Sequence, residues 1–210
     1  MAARDSKRQE ILQAAVELFA VKGFRGTTTR DLAAKAGVNE AIIFRYFLNK
    51  TELYRAILEE KVHQGRDARY KEVEELAKSA DTRTFLEFLG NRFLEQHERD
   101  STFMRLLLFS ALEGHELADM FLASVAIRDP LAAYMERRMD EGTFRRMNPY
   151  LASRAFFGMF VSHIQMQEIF GQRTKENFDR NDAVQTFVSI FLAGMKLPEA
   201  PVVNMKSESQ

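Results

Sequence analysis

Cysteine is absent from this chain of 210 residues, and proline occurs only four times. The lack of cysteine excludes disulfide frameworks, thiolate metal sites and cysteine nucleophiles. No stretch approaches the ~20 uninterrupted apolar residues that a membrane span needs, and no apolar signal-peptide run follows the charged N-terminus. We therefore expect a cytoplasmic protein that does not enter a membrane. Hydrophobic residues make up 46% of the chain, which is enough to build a real core.

Net charge is also absent, because 30 Lys and Arg residues balance 30 Asp and Glu residues. By itself this balance argues against a nucleic-acid-binding protein. The charges are distributed unevenly, however. Residues 1–55 contain ten basic and six acidic residues, which leaves twenty and twenty-four for residues 56–210. A basic N-terminal part and a mildly acidic remainder indicate a nucleic-acid-binding module joined to a part with another task.

Strand patterns are missing as well, whereas apolar residues recur with helical spacing throughout, which predicts an all-α fold. The first helix is expected over residues 6–21, with Ser6 as its N-cap and Gly23 just beyond its end. Two short helices follow on either side of Gly37, and a proline at position 130 is expected to kink or divide a later helix. The remaining helices, which bring the total to about nine, are predicted over residues 52–78, 83–98, 102–113, 116–141, 149–171 and 180–196.

The most informative stretch lies around Gly37. Thr28 and Thr29 can cap a helix that Gly37 ends within two turns, and Asn39 can cap the next one. Two helices joined by a short turn that contains glycine predict a helix-turn-helix over residues 28–47. The second helix would then present its polar N-terminal residues to the major groove of DNA, as recognition helices do.

Lys50 adds an independent indication of DNA binding. A lysine in the first turn of a helix opposes the helix dipole, and a phosphate bound at that helix end would explain its position. Tyr46 has a hydroxyl group that can reach the same DNA strand. The alternative is that Lys50 is only a solvated charge and Tyr46 a half-buried core residue.

Residues 8–57 resemble the DNA-binding domain of the TetR family of bacterial transcriptional regulators. The motifs that carry the resemblance occur in the correct order: ILQAAVELF at 11–19, KGF at 22–24, TTRDLAAKAGV at 28–38, FRYF at 44–47 and KTEL at 50–53. The resemblance implies an all-helical homodimer that binds a palindromic DNA operator, most often as a repressor that a small ligand releases. The implied organisation is a DNA-binding domain at 5–52, a helical ligand-binding and dimerisation domain at 53–197 and a disordered tail at 198–210.

The resemblance also implies roles for individual residues. Residues that contact DNA would be Thr28, Thr29, Arg30, Asn39, Glu40, Ala41, Phe44, Arg45, Tyr46 and Lys50. Two departures from the family pattern matter for this surface. Phe44 stands where tyrosine is frequent, so a phosphate hydrogen bond is lost there. Asn39 and Ala41 stand where serine or threonine and glycine are frequent, which changes the expected base preference.

The C-terminal part matches the family only in outline. By resemblance its last two helices would form the dimer interface, with Phe156, Phe160, Phe187 and Phe191 as contacts. Phenylalanine and methionine crowd several helices, and they form either a simple core or the wall of an apolar ligand cavity with a few polar groups. The cavity interpretation assigns Phe88, Asn91, Arg92, Met104, Leu108, Met135, His163, Gln165 and Met166 to a pocket for an apolar or amphipathic effector.

Two other functions compete with this interpretation. An enzyme would need a convergent set of catalytic or metal-binding groups, whereas the histidines are scattered at 63, 97, 115 and 163. The segment Glu113–Glu116 lacks the spacing of zinc-binding histidines, so we expect neither an enzyme nor a metal or other cofactor. A helical interaction protein that has lost DNA binding is the second alternative. The presence of Arg30, Arg45 and Lys50 argues against it.

Overall fold

The computed structural model describes residues 2–63, 66–114 and 130–196. Within these ranges the chain is all-helical and forms ten α-helices with no strand. This confirms the predicted fold class. None of the helices in the described ranges is long and apolar enough to cross a membrane. The helices are α1 (Ala2–Gly26), α2 (Thr29–Lys35), α3 (Glu40–Tyr46), α4 (Lys50–His63), α5 (Arg66–Ser79), α6 (Thr82–Arg99), α7 (Thr102–Leu112), α8 (Pro130–Asp140), α9 (Pro149–Ile164) and α10 (Arg180–Met195).

The first helix begins earlier than predicted, whereas the predicted break at Gly23 is present. It begins at Ala2, so Ser6 lies inside the helix, where its hydroxyl donates to the Glu10 carboxylate instead of capping the N-terminus. At the other end Gly23 has φ 72° and ψ 176°, which interrupts the helical backbone as the sequence predicted. This region of φ and ψ is accessible essentially only to glycine.

The N-terminal module has its own apolar core. α1 crosses α2, α4 and α7 and buries its apolar stripe between them. The core residues are Ile11, Leu12, Ala15, Val16, Phe19, Leu32, Ala33, Ile43, Phe47, Leu53, Tyr54, Ile57 and Leu106. Leu106 belongs to α7, so a helix from the second half of the chain completes the core of the first half.

The second core lies among α6, α8, α9 and α10. It is rich in phenylalanine and methionine, and Phe85, Met135, Phe156 and Phe160 have no exposed surface. Gly90 of α6 lies directly against the Phe160 ring of α9. A Cβ atom at this position would come within 2.6 Å of that ring, so the two helices approach as closely as they do only because residue 90 is glycine.

Apart from the start of α1, the helix starts marked by a capping residue agree with the sequence. α7, α9 and α10 begin where predicted, and Asn148 caps α9 by accepting from the amides of Tyr150 and Leu151 at 3.0 and 3.2 Å. α9 ends earlier than predicted and continues as a π-helical turn, Gln165–Ile169. α8 begins at Pro130. The predictions for residues 64–65, 115–129 and 198–210, including His115, lie outside the described residues.

Candidate nucleic-acid interface

The helix-turn-helix forms as its capping residues predicted. Thr28 caps α2 through a reciprocal pair of bonds: its hydroxyl accepts from the Asp31 amide at 3.1 Å, and its own amide donates to the Asp31 carboxylate at 3.0 Å. Gly37 forms the turn with φ 63°. Asn39 then caps α3 by accepting from the Ile42 amide at 2.9 Å. These bonds satisfy amides that are otherwise left unpaired at helix starts.

α3 divides into an inner and an outer side. Ile43 is buried in the N-terminal core, and Ile42 is packed against it. The outer side presents five of the residues predicted to contact DNA, which are Asn39, Glu40, Ala41, Phe44 and Arg45. The Phe44 ring is 47% exposed, an unusual position for an aromatic side chain with no polar group. The structure therefore brings these predicted residues together on one exposed face.

The start of α2 lies beside the start of α3. The Thr29 hydroxyl donates to the Glu40 carboxylate at 2.5 Å, and the exposed side chain of Arg30 follows Thr29 directly. At the other end of α3 the Arg45 guanidinium lies 5.7 Å from the centre of the Tyr46 ring, within the range of a cation–π contact. Tyr46 is half-buried.

Lys50 has a different role from the one its sequence position suggested. Its ammonium group donates to the backbone carbonyls of Phe24 and Thr27 at 2.7 and 2.8 Å and lies 4.3 Å from the centre of the Phe24 ring. Burial lowers the pKa of Lys50, while the charge of Glu113 acts in the opposite direction. The carbonyl groups of Phe24 and Thr27, at and just beyond the end of α1, give this lysine partners within the protein, so its position does not require a phosphate. Its contact with DNA stays a prediction.

The residues predicted to line a ligand pocket lie on α6 to α9 and on the π turn, in different environments. Met135 is fully buried in the second core, whereas Met166 is largely exposed. Asn91 donates to the carbonyl of Glu87 on its own helix, and Arg92 pairs with Glu72 of α5. The remaining predicted residues are half-buried, namely Phe88, Met104, Leu108, His163 and Gln165.

An open cleft of about 360 Å³ lies elsewhere, where α8 meets the start of α9. Three charged and three apolar residues line it, namely Glu136, Asp140 and Arg146 with Met139, Met147 and Pro149. These residues and the predicted pocket residues have no member in common. The cleft is therefore a separate feature, and the predicted ligand pocket stays a prediction.

The predicted dimer contacts need correction. Phe156 and Phe160 are 0% exposed and Phe191 is buried, because their rings pack on one another within the second core. Phe187 is half-buried and stacks edge-on against Phe160. Phe156, Phe160 and Phe191 have little or no surface for a second copy to contact, so they stabilise the fold of the chain itself. Phe187 keeps part of its surface exposed, and its contact with a second copy stays a prediction.

The opposite sides of α9 and α10 carry an exposed face that lies outside the four phenylalanines predicted as dimer contacts. On α9 it contains Leu151, which is 60% exposed, followed at helical spacing by Ala155, Gly158 and Ser162. On α10 it contains Ile190, which is 59% exposed. A Cβ atom at Gly158 or at Gly194 would meet no atom within 4 Å, so both glycines border open space. The spacing of these small and apolar residues is the signal that could have identified this face.

Two family models match the chain. Residues 11–57 match the model described as bacterial regulatory proteins of the tetR family. Residues 84–194, more than half of the chain, match the model described as the C-terminal domain of AefR-like transcriptional repressors. The first match covers the helix-turn-helix, and the second covers the helices of the second core.

Individual relatives agree with the family models. The chain is 52% identical over 50 residues to the HTH-type transcriptional regulator YvkB of Bacillus subtilis, which covers 24% of this chain and 26% of YvkB. It is 31% identical over 105 residues to the transcriptional activator FasR of Mycolicibacterium smegmatis, covering 50% of this chain and 46% of FasR. The chain thus matches about a quarter of YvkB and less than half of FasR.

The fold is similar to that of solved regulators over nearly the whole chain. FadR of Bacillus subtilis, whose structure was determined in complex with stearoyl-CoA, superposes with a TM-score of 0.71 at 19% identity. The superposition covers 89% of this chain and 98% of FadR. At this level of identity the similarity concerns the fold alone.

Proposed function

Because the chain belongs to the TetR family of bacterial transcriptional regulators, we propose that it is a homodimeric repressor which binds a palindromic operator and is released by a small effector. The observation that carries this proposal is the outer side of α3, where Asn39 to Ala41 and Arg45 form one exposed face beside Arg30. Glu40 and Arg45 are suited to base edges, and the small Ala41 side chain allows close approach of the backbone. Tyr46 and the start of α2 are assigned to the sugar-phosphate backbone.

The sign of regulation is part of the proposal. The family model that matches the C-terminal half is described as a repressor, whereas FasR is an activator. We favour repression because the repressor model spans residues 84–194 continuously, while the match to FasR covers half of this chain. The proposed domain division remains 5–52 for DNA binding and 53–197 for effector binding and dimerisation.

The proposed effector is an apolar or amphipathic molecule bound between helices of the C-terminal part. Its support is the wealth of phenylalanine and methionine among α6, α8 and α9, together with the binding of stearoyl-CoA by a protein of similar fold. Long-chain acyl-CoA is therefore the first class of effector to test. Phe88, Met104, Leu108 and His163 are proposed to line the site, since each is half-buried and leaves part of its surface for a ligand.

The proposed dimer uses the exposed face of α9 and α10. Its support is the combination of large exposed apolar residues, Leu151 and Ile190, with glycines that border open space. Small residues in such a face allow helices of two copies to approach closely. The dimer would place two recognition helices one DNA turn apart, ~34–36 Å, in the DNA-bound state.

Binding of the full-length protein to the DNA upstream of its own gene tests this proposal. We expect the affinity to fall steeply as salt is raised, because several phosphate contacts release counterions. An unrelated duplex of equal length and base composition is the control, and stearoyl-CoA, stearate and CoA are then titrated separately. Equal affinity for the two duplexes at every salt concentration would favour the alternative, a helical interaction protein without specific DNA binding.

A further inference from the structure

The last residues of α1, which lead into the helix-turn-helix, are held by a residue from the other half of the chain. Glu113 is the C-cap of α7, almost ninety positions away. One of its carboxylate oxygens accepts from the amide of Phe24 at 2.9 Å, and the other accepts from the amide of Arg25 at 3.1 Å. The Arg25 guanidinium donates a hydrogen bond to the backbone carbonyl of Glu113 at 3.1 Å.

Gly23 makes this arrangement possible. Its backbone, with φ 72°, turns the two following amides towards Glu113. A Cβ atom at residue 23 would lie 2.5 Å from the Glu113 carboxylate, which is too close for any real side chain. Gly23 therefore has two roles: it breaks the helical backbone, and it leaves room for the carboxylate.

The same segment is held from the opposite side by α4. Lys50 binds the carbonyls of Phe24 and Thr27, so the backbone of residue 24 is bound at its amide by α7 and at its carbonyl by α4. A second junction lies nearby, where the buried Tyr54 hydroxyl of α4 donates to the Leu106 carbonyl of α7 at 3.0 Å. Helix α7 is therefore bonded both to the entry of the helix-turn-helix and to the helix that leaves it.

We propose that Glu113 is a positioning residue for operator binding: it fixes the angle at which the helix-turn-helix projects from the C-terminal part without itself contacting DNA. Thr28, the N-cap of α2, directly follows the segment that Glu113 and Lys50 hold. Charge-assisted bonds of a carboxylate to backbone amides are stronger and more directional than neutral ones. Loss of this carboxylate therefore frees the entry to α2, while the caps within the helix-turn-helix remain. This inference rests on the proposed function, since it concerns the spacing of two DNA half-sites.

The spacing of half-sites provides the test. Full-length protein is given a library of duplexes in which two inverted copies of its selected half-site are separated by spacers of different length. The wild type is expected to prefer one spacing. In Glu113→Ala the ratio of the best spacing to its neighbours is expected to fall by about 2-fold to 30-fold, the range typical of residues that couple two sites. A purely structural loss would weaken every spacing by the same factor and leave the ratio unchanged.

Two further variants keep the experiment decisive. Glu113→Gln retains the shape of the side chain and one acceptor oxygen, so it is expected to fold and to show a smaller flattening of the same profile. Glu136→Gln changes an exposed carboxylate of α8 and is expected to keep the wild-type profile. In both Glu113 variants we also expect the amide protons of Phe24 and Arg25 to exchange faster with solvent, because these amides donate to the Glu113 carboxylate in the wild type.

The outcomes separate the two levels of the hypothesis. If the wild type binds operator and both Glu113 variants keep its spacing profile, the positioning role is overturned and the proposed function stands. If the wild type binds none of the duplexes more tightly than unrelated DNA at low salt, the proposed function is overturned and this inference with it.

Discussion

The hydroxyl of Thr29 donates a hydrogen bond to the carboxylate of Glu40 at 2.5 Å and thereby joins the first turn of α2 to the first turn of α3. Both turns belong to the helix-turn-helix, and the Glu40 side chain is exposed beyond this bond. A flexible glutamate would lose conformational entropy on meeting DNA. The bond to Thr29 holds the carboxylate in place beforehand, so in the proposed interface Glu40 would meet a base already oriented.

Glu40→Gln is expected to change the base preference of the protein at one position in each half-site. A carboxylate accepts from the amino group of cytosine, whereas a glutamine amide pairs with adenine, and such pairs contribute about 1–3 kcal/mol of discrimination. Selection from a random duplex library, followed by sequencing, measures the change. Thr29→Val is the matched control, expected to weaken the wild-type preference without replacing it. Identical base frequencies for Glu40→Gln and wild type would exclude Glu40 from base recognition.

Lys50→Met is expected to lower the free energy of unfolding and to leave the salt dependence of DNA affinity unchanged. The methionine side chain can still cover the Phe24 ring, but the carbonyls of Phe24 and Thr27 lose their charged donor, at a cost of about 1–3 kcal/mol. The free energy of unfolding in urea measures this loss. Lys35→Met removes only a surface ion pair with Glu17 and should cost about 0–1 kcal/mol.

The salt dependence of DNA binding distinguishes the two roles of Lys50. If its ammonium group serves the carbonyls alone, the slope of log affinity against log salt stays the same in Lys50→Met. A slope that falls by about one, with unchanged stability, would instead restore the phosphate contact expected from the sequence.

The features that the sequence predicts correctly are those set by residues two or three positions apart. Thr28, Asn39 and Asn148 all cap the helices expected of them, because a capping side chain bonds to amides two or three residues ahead. Ser6 is the exception. The apolar stripe of α1 begins near residue 11, whereas the helix itself begins at Ala2. The apolar pattern therefore indicates which part of the helix is packed against the core, and it does not indicate where the helix begins.

The features that could not be predicted depend on pairs far apart in the chain. Lys50 finds its carbonyl partners more than twenty residues away, and Glu113 finds its amides nearly ninety residues away. The phenylalanines of α9 show a related difficulty. Phe156 and Ala155 are neighbours in sequence, but only the packing of α6 and α10 decides which side of the helix is buried. The large aromatic residues were assigned to the interface for their apolar surface, which the protomer had already used.

His97 is expected to make stability depend on pH in the range where histidine titrates. Burial lowers the pKa of His97 below its usual 6.5, and Nδ1 lies 2.8 Å from the Phe93 carbonyl. The unfolded chain therefore takes up a proton at this site at a higher pH than the folded protein does. The contribution of His97 to the free energy of unfolding is therefore full well above pH 6.5 and is lost as the pH falls below 6.5, because protons favour the unfolded state.

Urea unfolding of His97→Gln at several pH values measures the contribution of this histidine. The variant is expected to show a shallower fall in unfolding free energy between about pH 7 and pH 5. His163 has a lowered pKa for the same reason, burial, so the double variant should be shallower still. Asp31 and Asp81 act only at lower pH, because their pKa values are lowered from 3.8. Equal pH dependence in wild type and His97→Gln would contradict the assignment.

Ile190→Glu is expected to weaken self-association by about tenfold or more. The variant would bury a carboxylate against a second copy, which costs at least about 1.4 kcal/mol, and this free energy corresponds to a factor of ten in affinity. The protomer itself should remain folded, because Ile190 is 59% exposed. Sedimentation velocity over a range of concentrations measures the change, with Val21→Glu on α1 as a control at another exposed apolar residue.

Gly158→Leu provides an independent probe. Beyond the adjoining residues and helix backbone, a Cβ atom there meets no atom of the described residues within 4 Å, so the leucine side chain starts in open space and is expected to obstruct the approach of a second copy. Dimers of normal affinity in both variants would show that the exposed face of α9 and α10 is not the interface, because no dimer through that face accommodates both changes.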